Sequence, residues 1–149
     1  MPVVETVVDV LDVELDQVWR VVSAFERYPE TMADVLEVRW LERTQYRATS
    51  SWRVLLNGSE LTWTEVDVFH ADTRIDFEQC EGDLEVWRGA WVLEQRPSGV
   101  RVALNVEFDL GVPSLAPIMD PLGTRAIRAN SHSMLDAIRE LAAARRVRA

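Results

Sequence analysis

The sequence predicts a single α+β domain, spanning 1–149, in which a curved seven-stranded antiparallel sheet closes around a long C-terminal helix, with two short helices after the first strand. Three observations carry this. The chain opens on an alternating stretch at 3–11, six strand-and-turn segments fill 35–110, and one long amphipathic stretch covers about 115–145. A chain of 149 residues is the usual length of one domain, and no linker breaks it.

At 3–11, Val4, Thr6, Val8 and Val10 share one face, with Glu5 and Asp9 on the other, which is the period of a strand. Asp12 is placed to cap the helix that follows, where Leu15, Val18, Val22 and Phe25 recur at helical spacing. Pro29 disfavours helix at Tyr28, so Arg27-Tyr28-Pro29-Glu30 interrupts, and a second short turn runs through Met32. The strands are predicted at 35–43, 46–55, 60–69, 73–80, 85–95 and 99–109. Their breaks fall at Thr44-Gln45, Asn57-Gly58, Ala71-Asp72, Gly82-Asp83 and Pro97-Ser98-Gly99, all rich in turn formers. Connections this short make an antiparallel meander. In the last strand Val100, Val102, Leu104, Val106 and Phe108 face inward. After Gly111-Val112-Pro113, the stripe Met119, Leu122, Ala126, Asn130, Met134, Ala137 and Leu141 marks the apolar face of the long helix. A sheet curled around that helix leaves a cavity, expected at a few hundred Å3.

Composition narrows the function classes. The formal charge of −9 disfavours a nucleic-acid partner. The basic tail, Arg139 with Arg145, Arg146 and Arg148, suits a helix C-terminus. No apolar run reaches the ~20 residues of a membrane span. The N-terminal segment has no basic stretch before its apolar residues and reads as no signal peptide. The lone Cys80 fits a reducing cytoplasm, and no metal-ligand spacing is present. Of six tryptophans, Trp40, Trp52, Trp63, Trp87 and Trp91 fall on strands, which tilts the reading toward a pocket wall.

Candidate chemistry is sparse. On the strand 46–55, alternation separates Thr49, Ser51, Arg53 and Leu55 from Ala48, Ser50, Trp52 and Val54, and neither face is plainly apolar. An inward Arg53 needs an anionic or carbonyl partner, because an unpaired buried charge is costly. Phe77, Trp87 and Trp91 belong to an inward apolar set, with Gly89 marking either room for a flat ligand or a bend. Asn130 needs a backbone or ligand partner if buried. Most acids read as solvated. Glu65 and Asp67, two apart, share a face and could in principle do acid–base work. Serine-nucleophile and phosphate-loop motifs are absent.

Three segments, Phe25-Glu26-Arg27-Tyr28-Pro29-Glu30, Val106-Glu107-Phe108-Asp109 and Arg128-Ala129-Asn130, resemble the single-domain polyketide aromatase/cyclases. These belong to the START-like (Bet v 1-like) superfamily, whose fold is the helix grip. The resemblance implies an inward arginine with a serine two residues before it, matched by Ser51 and Arg53, that binds and polarises a poly-β-ketone. It gives Tyr28 a share in relaying protons. Trp63 and Trp91 correspond to the family's strand tryptophans, and Asn130 to its helix asparagine. Val106 departs from the family, which carries a glutamine there. The ligand wall is then expected to include Trp63, Phe77, Trp87, Trp91, Leu104, Val106, Phe108, Asn130 and Met134. The implied function is a cofactor-independent aromatase/cyclase with a hydrophobic small-molecule substrate and an acyl carrier protein as a partner, in a monomer or weak homodimer. The alternative is a carrier or sequestering protein for a quinone, lipid or finished natural product.

Overall fold

The computed structural model describes residues 2–111 and 116–148, with side chains over 2–111 and 120–144. The Val112-Pro113 break and the side chains of Met119, Arg145, Arg146 and Arg148 lie outside the described residues. Strand β1 (Val3–Leu11) is followed by helix α1 (Leu15–Val22) and a 3-10 turn (Phe25–Glu30). Six strands come next: β2 (Val35–Arg43), β3 (Arg47–Leu56), β4 (Ser59–His70), β5 (Arg74–Gly82), β6 (Val86–Arg96) and β7 (Gly99–Asp109). Helix α2 (Ala116–Arg148) closes the described chain. The order across the sheet, β1-β7-β6-β5-β4-β3-β2, makes one antiparallel meander with β1 returning beside β7. This is the expected helix grip.

The turns are where the punctuation placed them. Asn57 and Gly58, at φ 51° and 79°, supply the two left-handed residues of the β3–β4 hairpin. The cap of α1 is not Asp12, which sits at the strand end with φ 57°, but Glu14, whose backbone N–H donates to Gln17 Oε1 at 2.8 Å. The buried face of α2 is wider than the predicted stripe, of which Met134 is buried and Ala137 and Leu141 pack against the core. Ile127, Ser131, Leu135, Ile138 and Ala142 are buried against the sheet, while Leu122 is exposed. Each residue turns a helix by about 100°, so these positions widen the predicted stripe to one side.

The concave face of the sheet carries a connected aromatic layer. Trp52 and Trp63 stack at 5.8 Å and 4° across β3 and β4, Trp63 meets Trp87 at 4.9 Å, and Phe77 meets Trp87 at 6.5 Å. From the 3-10 turn, Tyr28 leans edge-on against Trp52 and Trp91, at 5.8 and 6.0 Å. Opposite Glu65 the β4–β5 register slips, Thr64 pairing Glu81 and Glu65 pairing Gln79, which kinks the sheet at that point. Gly89 serves the bend rather than a ligand: a Cβ there would lie 1.8 Å from the Asn105 carbonyl oxygen.

Candidate functional site

The polar floor of the concave face comes from β3 and β4. In register Ser50 lies opposite Glu65, Ala48 opposite Asp67, and Trp52 opposite Trp63. Ser50, Glu65 and Asp67 are all buried, at 0, 2 and 0% exposure. Trp52 Nε1 donates to Ser50 Oγ at 2.9 Å, and Ser50 Oγ donates to Asp67 Oδ2 at 2.6 Å. Trp63 Nε1 donates to Glu65 Oε1 at 2.7 Å.

Glu65 and Asp67, two residues apart on β4, face the same side and lie close enough to bear on each other's ionisation. Burial first, then the bond to Asp67 and its charge, push Glu65 well above the usual carboxylate range. Burial also raises Asp67, against the opposing pull of the Glu65 and Ser50 hydrogen bonds and of the Arg43 charge. Both shifts favour the protonated acid over the ion, Glu65 the more strongly. Asp67 Oδ1 has no hydrogen-bond partner among the described residues. The pair titrates as a unit. Tyr28 is buried, its hydroxyl donates to the Val22 carbonyl oxygen, and burial followed by the Glu65 and Asp67 charges keeps that hydroxyl neutral.

The space between this floor and α2 is a chamber of about 30 Å3, far smaller than the expected cavity because indole rings fill it. It is room for a water or two. Of the predicted wall, Trp63, Phe77, Trp87, Trp91, Leu104, Val106, Asn130 and Met134 line the chamber, together with Trp52, Val54, Glu65 and Ser131. Phe108 is fully buried but lies elsewhere, under Gly123 of α2. Asn130 presents a buried Nδ2 with no acceptor. A wider cleft of about 390 Å3 opens between the α1–3-10 region and the C-terminal half of α2, lined by Val21, Ala24, Thr31 and Leu141 among others. Tyr28 borders this cleft, and its ring rests on Trp52 and Trp91 of the chamber wall.

Arg53 is not in the chamber. Trp52 and Val54 take the inward parity of β3, so Arg53 and Ser51 point out, and Arg53 Nη1 pairs with Glu60 Oε1 at 2.9 Å across the hairpin. The arginine is 44% exposed there. Burying it would cost several kcal/mol in desolvation, whereas the outer position leaves it in water beside Glu60. The inward serine is Ser50, one residue earlier. Sequence reading gave no role to Ser50, and it named Glu65 and Asp67 as a pair on one face without showing that the face is the inner one. The available signal was parity: both acids alternate with Trp63 and Phe69, and their outward neighbours are Val66 and Val68.

A curved antiparallel sheet gripping a long helix over an aromatic, partly acidic interior defines a START/Bet v 1-like domain. The chain belongs to the polyketide cyclase/dehydrase and lipid transport family, which matches it over residues 11–135. Among solved structures it is similar to the protein TTHA0849 from Thermus thermophilus, with a TM-score of 0.87 and 23% identity over 96% of this chain and 98% of that one. It is also similar to the Zhui aromatase/cyclase from Streptomyces sp. R1128, with a TM-score of 0.80 and 21% identity over 99% of this chain and 96% of that one. A START superfamily protein from Mycobacterium smegmatis follows at 0.76 and 15%, over 93% of this chain and 98% of that one. No curated protein sequence matches the chain. At these identities the structural likeness establishes the fold.

Proposed function

We propose that the chain binds a flat, largely apolar small molecule in the space between the sheet and α2. The observation that carries this is the indole-walled chamber with a polar floor. Four tryptophans converge on it, and a fold stabilised by packing alone has no use for two buried carboxyl groups under them. The small volume means that a ligand displaces a ring to enter, and the cleft beside Tyr28 offers the route and the room. The test is a titration with a neutral polycyclic dye such as Nile red, read by quenching of the wall tryptophans. Saturable quenching that vanishes in Trp91→Leu supports the reading, and the absence of saturable binding removes it.

A second reading, an aromatase/cyclase acting on a poly-β-ketone, is favoured by the two buried carboxyl groups, Glu65 and Asp67, on the concave face of the sheet. With Arg53 outside, the acid role passes to Glu65, which would donate to a substrate carbonyl oxygen while Asp67 takes the proton from the adjacent carbon. The resulting enol carbon attacks a second carbonyl, whose oxygen receives the proton from Asp67, while the enol O–H returns its proton to Glu65 as the first carbonyl reforms. No cofactor is required, and an acyl carrier protein would deliver the substrate. Incubating a reactive poly-β-ketone analogue with wild type and with Asp67→Asn tests this. A product distribution identical to the protein-free control ends the catalytic reading.

A further inference from the structure

A second aromatic cluster lies at the end of the sheet, where the β2–β3 and β4–β5 turns sit beside α1. A cleft of about 480 Å3 opens there, lined by Trp19 of α1, Tyr46 of the β2–β3 turn and Phe69 of β4, together with Arg43 and Asp72. It shares no lining residue with the chamber. The Arg43 guanidinium lies 4.3 Å from the centre of the Trp40 ring and 5.6 Å from that of Phe69. This platform is itself fixed. Trp40 stacks on Phe25 at 5.2 Å and 14°, its Nε1 donates to Glu26 Oε2 at 2.6 Å, and Phe69 meets Trp19 edge-on at 6.3 Å. The arginines of β5, β6 and β7, which are Arg74, Arg88, Arg96 and Arg101, each meet a carboxylate at 2.8 to 3.3 Å. Arg43 meets rings alone: it has no ion pair and no hydrogen-bond acceptor among the described residues. A guanidinium stacked on rings keeps its N–H edge free, a planar fork of donors without an acceptor.

We propose that this outer cleft is a second ligand site and takes a planar aromatic carboxylate, with its ring against Trp19 and Tyr46 and its carboxylate on the N–H edge of Arg43. Two separate features point to such a ligand. The cleft has room for one or two fused rings, and Tyr46 is 65% exposed, so an incoming ring covers aromatic surface that the fold leaves in water. The free fork of Arg43 matches a carboxylate through two parallel hydrogen bonds, and stacking on Trp40 has already restricted its rotamers. A cationic ligand fits less well, because Arg43 itself occupies the faces of Trp40 and Phe69. Asp72 is the opposing charge in the cleft. It is exposed on the β4–β5 turn, where solvent screens it, so Asp72→Asn should tighten the carboxylate by no more than a few-fold. The site stands apart from the binding reading of the chamber and does not depend on it.

Three naphthalene probes of one shape test it: 2-naphthoate, 2-naphthalenemethanol and 2-naphthylmethylamine, titrated into the nitrogen-15-labelled protein. The readout is the set of indole N–H signals, assigned by single Trp→Phe changes, which separates Trp19 and Trp40 at the cleft from Trp52, Trp63 and Trp87 at the chamber. Naphthoate is expected to move the Trp19 and Trp40 signals saturably and to bind tighter than the alcohol by roughly threefold or more, with the amine weakest. Added salt should narrow that difference, since the pair it rests on is at the surface. In Arg43→Gln, an exposed position, the preference for naphthoate over the alcohol disappears while the other signals keep their places. Tyr46→Ala, also exposed, weakens naphthoate and alcohol alike. Equal affinity of naphthoate and alcohol at the cleft signals, an amine that binds tightest, or an undiminished preference in Arg43→Gln overturns the inference. So does naphthoate that moves only the chamber signals, a result that leaves the binding reading standing.

Discussion

At Glu65 and Asp67 the fold holds carboxyl groups on the face where Trp63 and Phe69 point, and turns Val66 and Val68 toward solvent. Such an inversion stores a pH dependence whose sign follows from protonation. Both groups have folded pKa values raised above their ordinary values of 4.5 and 3.8, so the folded chain binds more protons than the unfolded one above those values. Their contribution is fully present below the ordinary range and is lost as pH rises through the folded values. Stability of Glu65→Gln relative to wild type should therefore improve steadily between about pH 5 and about pH 8, read as urea midpoints. A constant difference across that range would show that Glu65 ionises normally. Arg53 makes the opposite case. It is half-exposed and paired only with Glu60, so Arg53→Ala should cost less than about 1 kcal/mol and leave dye binding unchanged. A large loss of binding would return the arginine to the site.

At the scale of elements, β1 and β7 were readable because their alternation is unmixed: every predicted inward residue of both strands is buried. β3 was not, because both of its faces mix polar and apolar side chains, and strand period alone leaves two parities. What decides is the partner strand, since Trp52 stacks on Trp63 in register. In α2 several apolar faces compete, and contact with β1 selects the one through Ile127, Leu135 and Ile138. The short β5–β6 pairing, Arg74–Glu78 against Arg88–Val92, shows where the sheet folds over, and Gly89 sits within it. Gly89→Ala should destabilise by roughly 1–3 kcal/mol or more, because the colliding atom is a backbone carbonyl that no rotamer change can move. Thermal unfolding measures it. A loss of a few tenths would mean that β6 and β7 part easily there.

Across the whole molecule, the helix grip sets a small chamber of about 30 Å3 beside a cleft of about 390 Å3, and Tyr28 borders the second while packing on the walls of the first. The sequence showed the frame of this arrangement and most of the wall, since those depend on period and on large aromatic residues. It did not show that the rings close on one another, because closure is set by strand curvature and ring tilt rather than by residue type. Tyr28 is fastened by its ring contacts and by one hydrogen bond to the last carbonyl of α1. Tyr28→Phe removes only the bond, which typically contributes about 1 kcal/mol, and should leave the ring in place. Tyr28→Ala removes the wall itself at about 3–5 kcal/mol, the usual range for a large buried aromatic. If ligands pass by this residue, the association rate of a neutral dye should rise slightly in Tyr28→Phe and much further in Tyr28→Ala, measured by stopped-flow quenching below the unfolding transition. Equal rates in all three proteins would mean that access lies elsewhere along α2, and that Tyr28 serves the core alone.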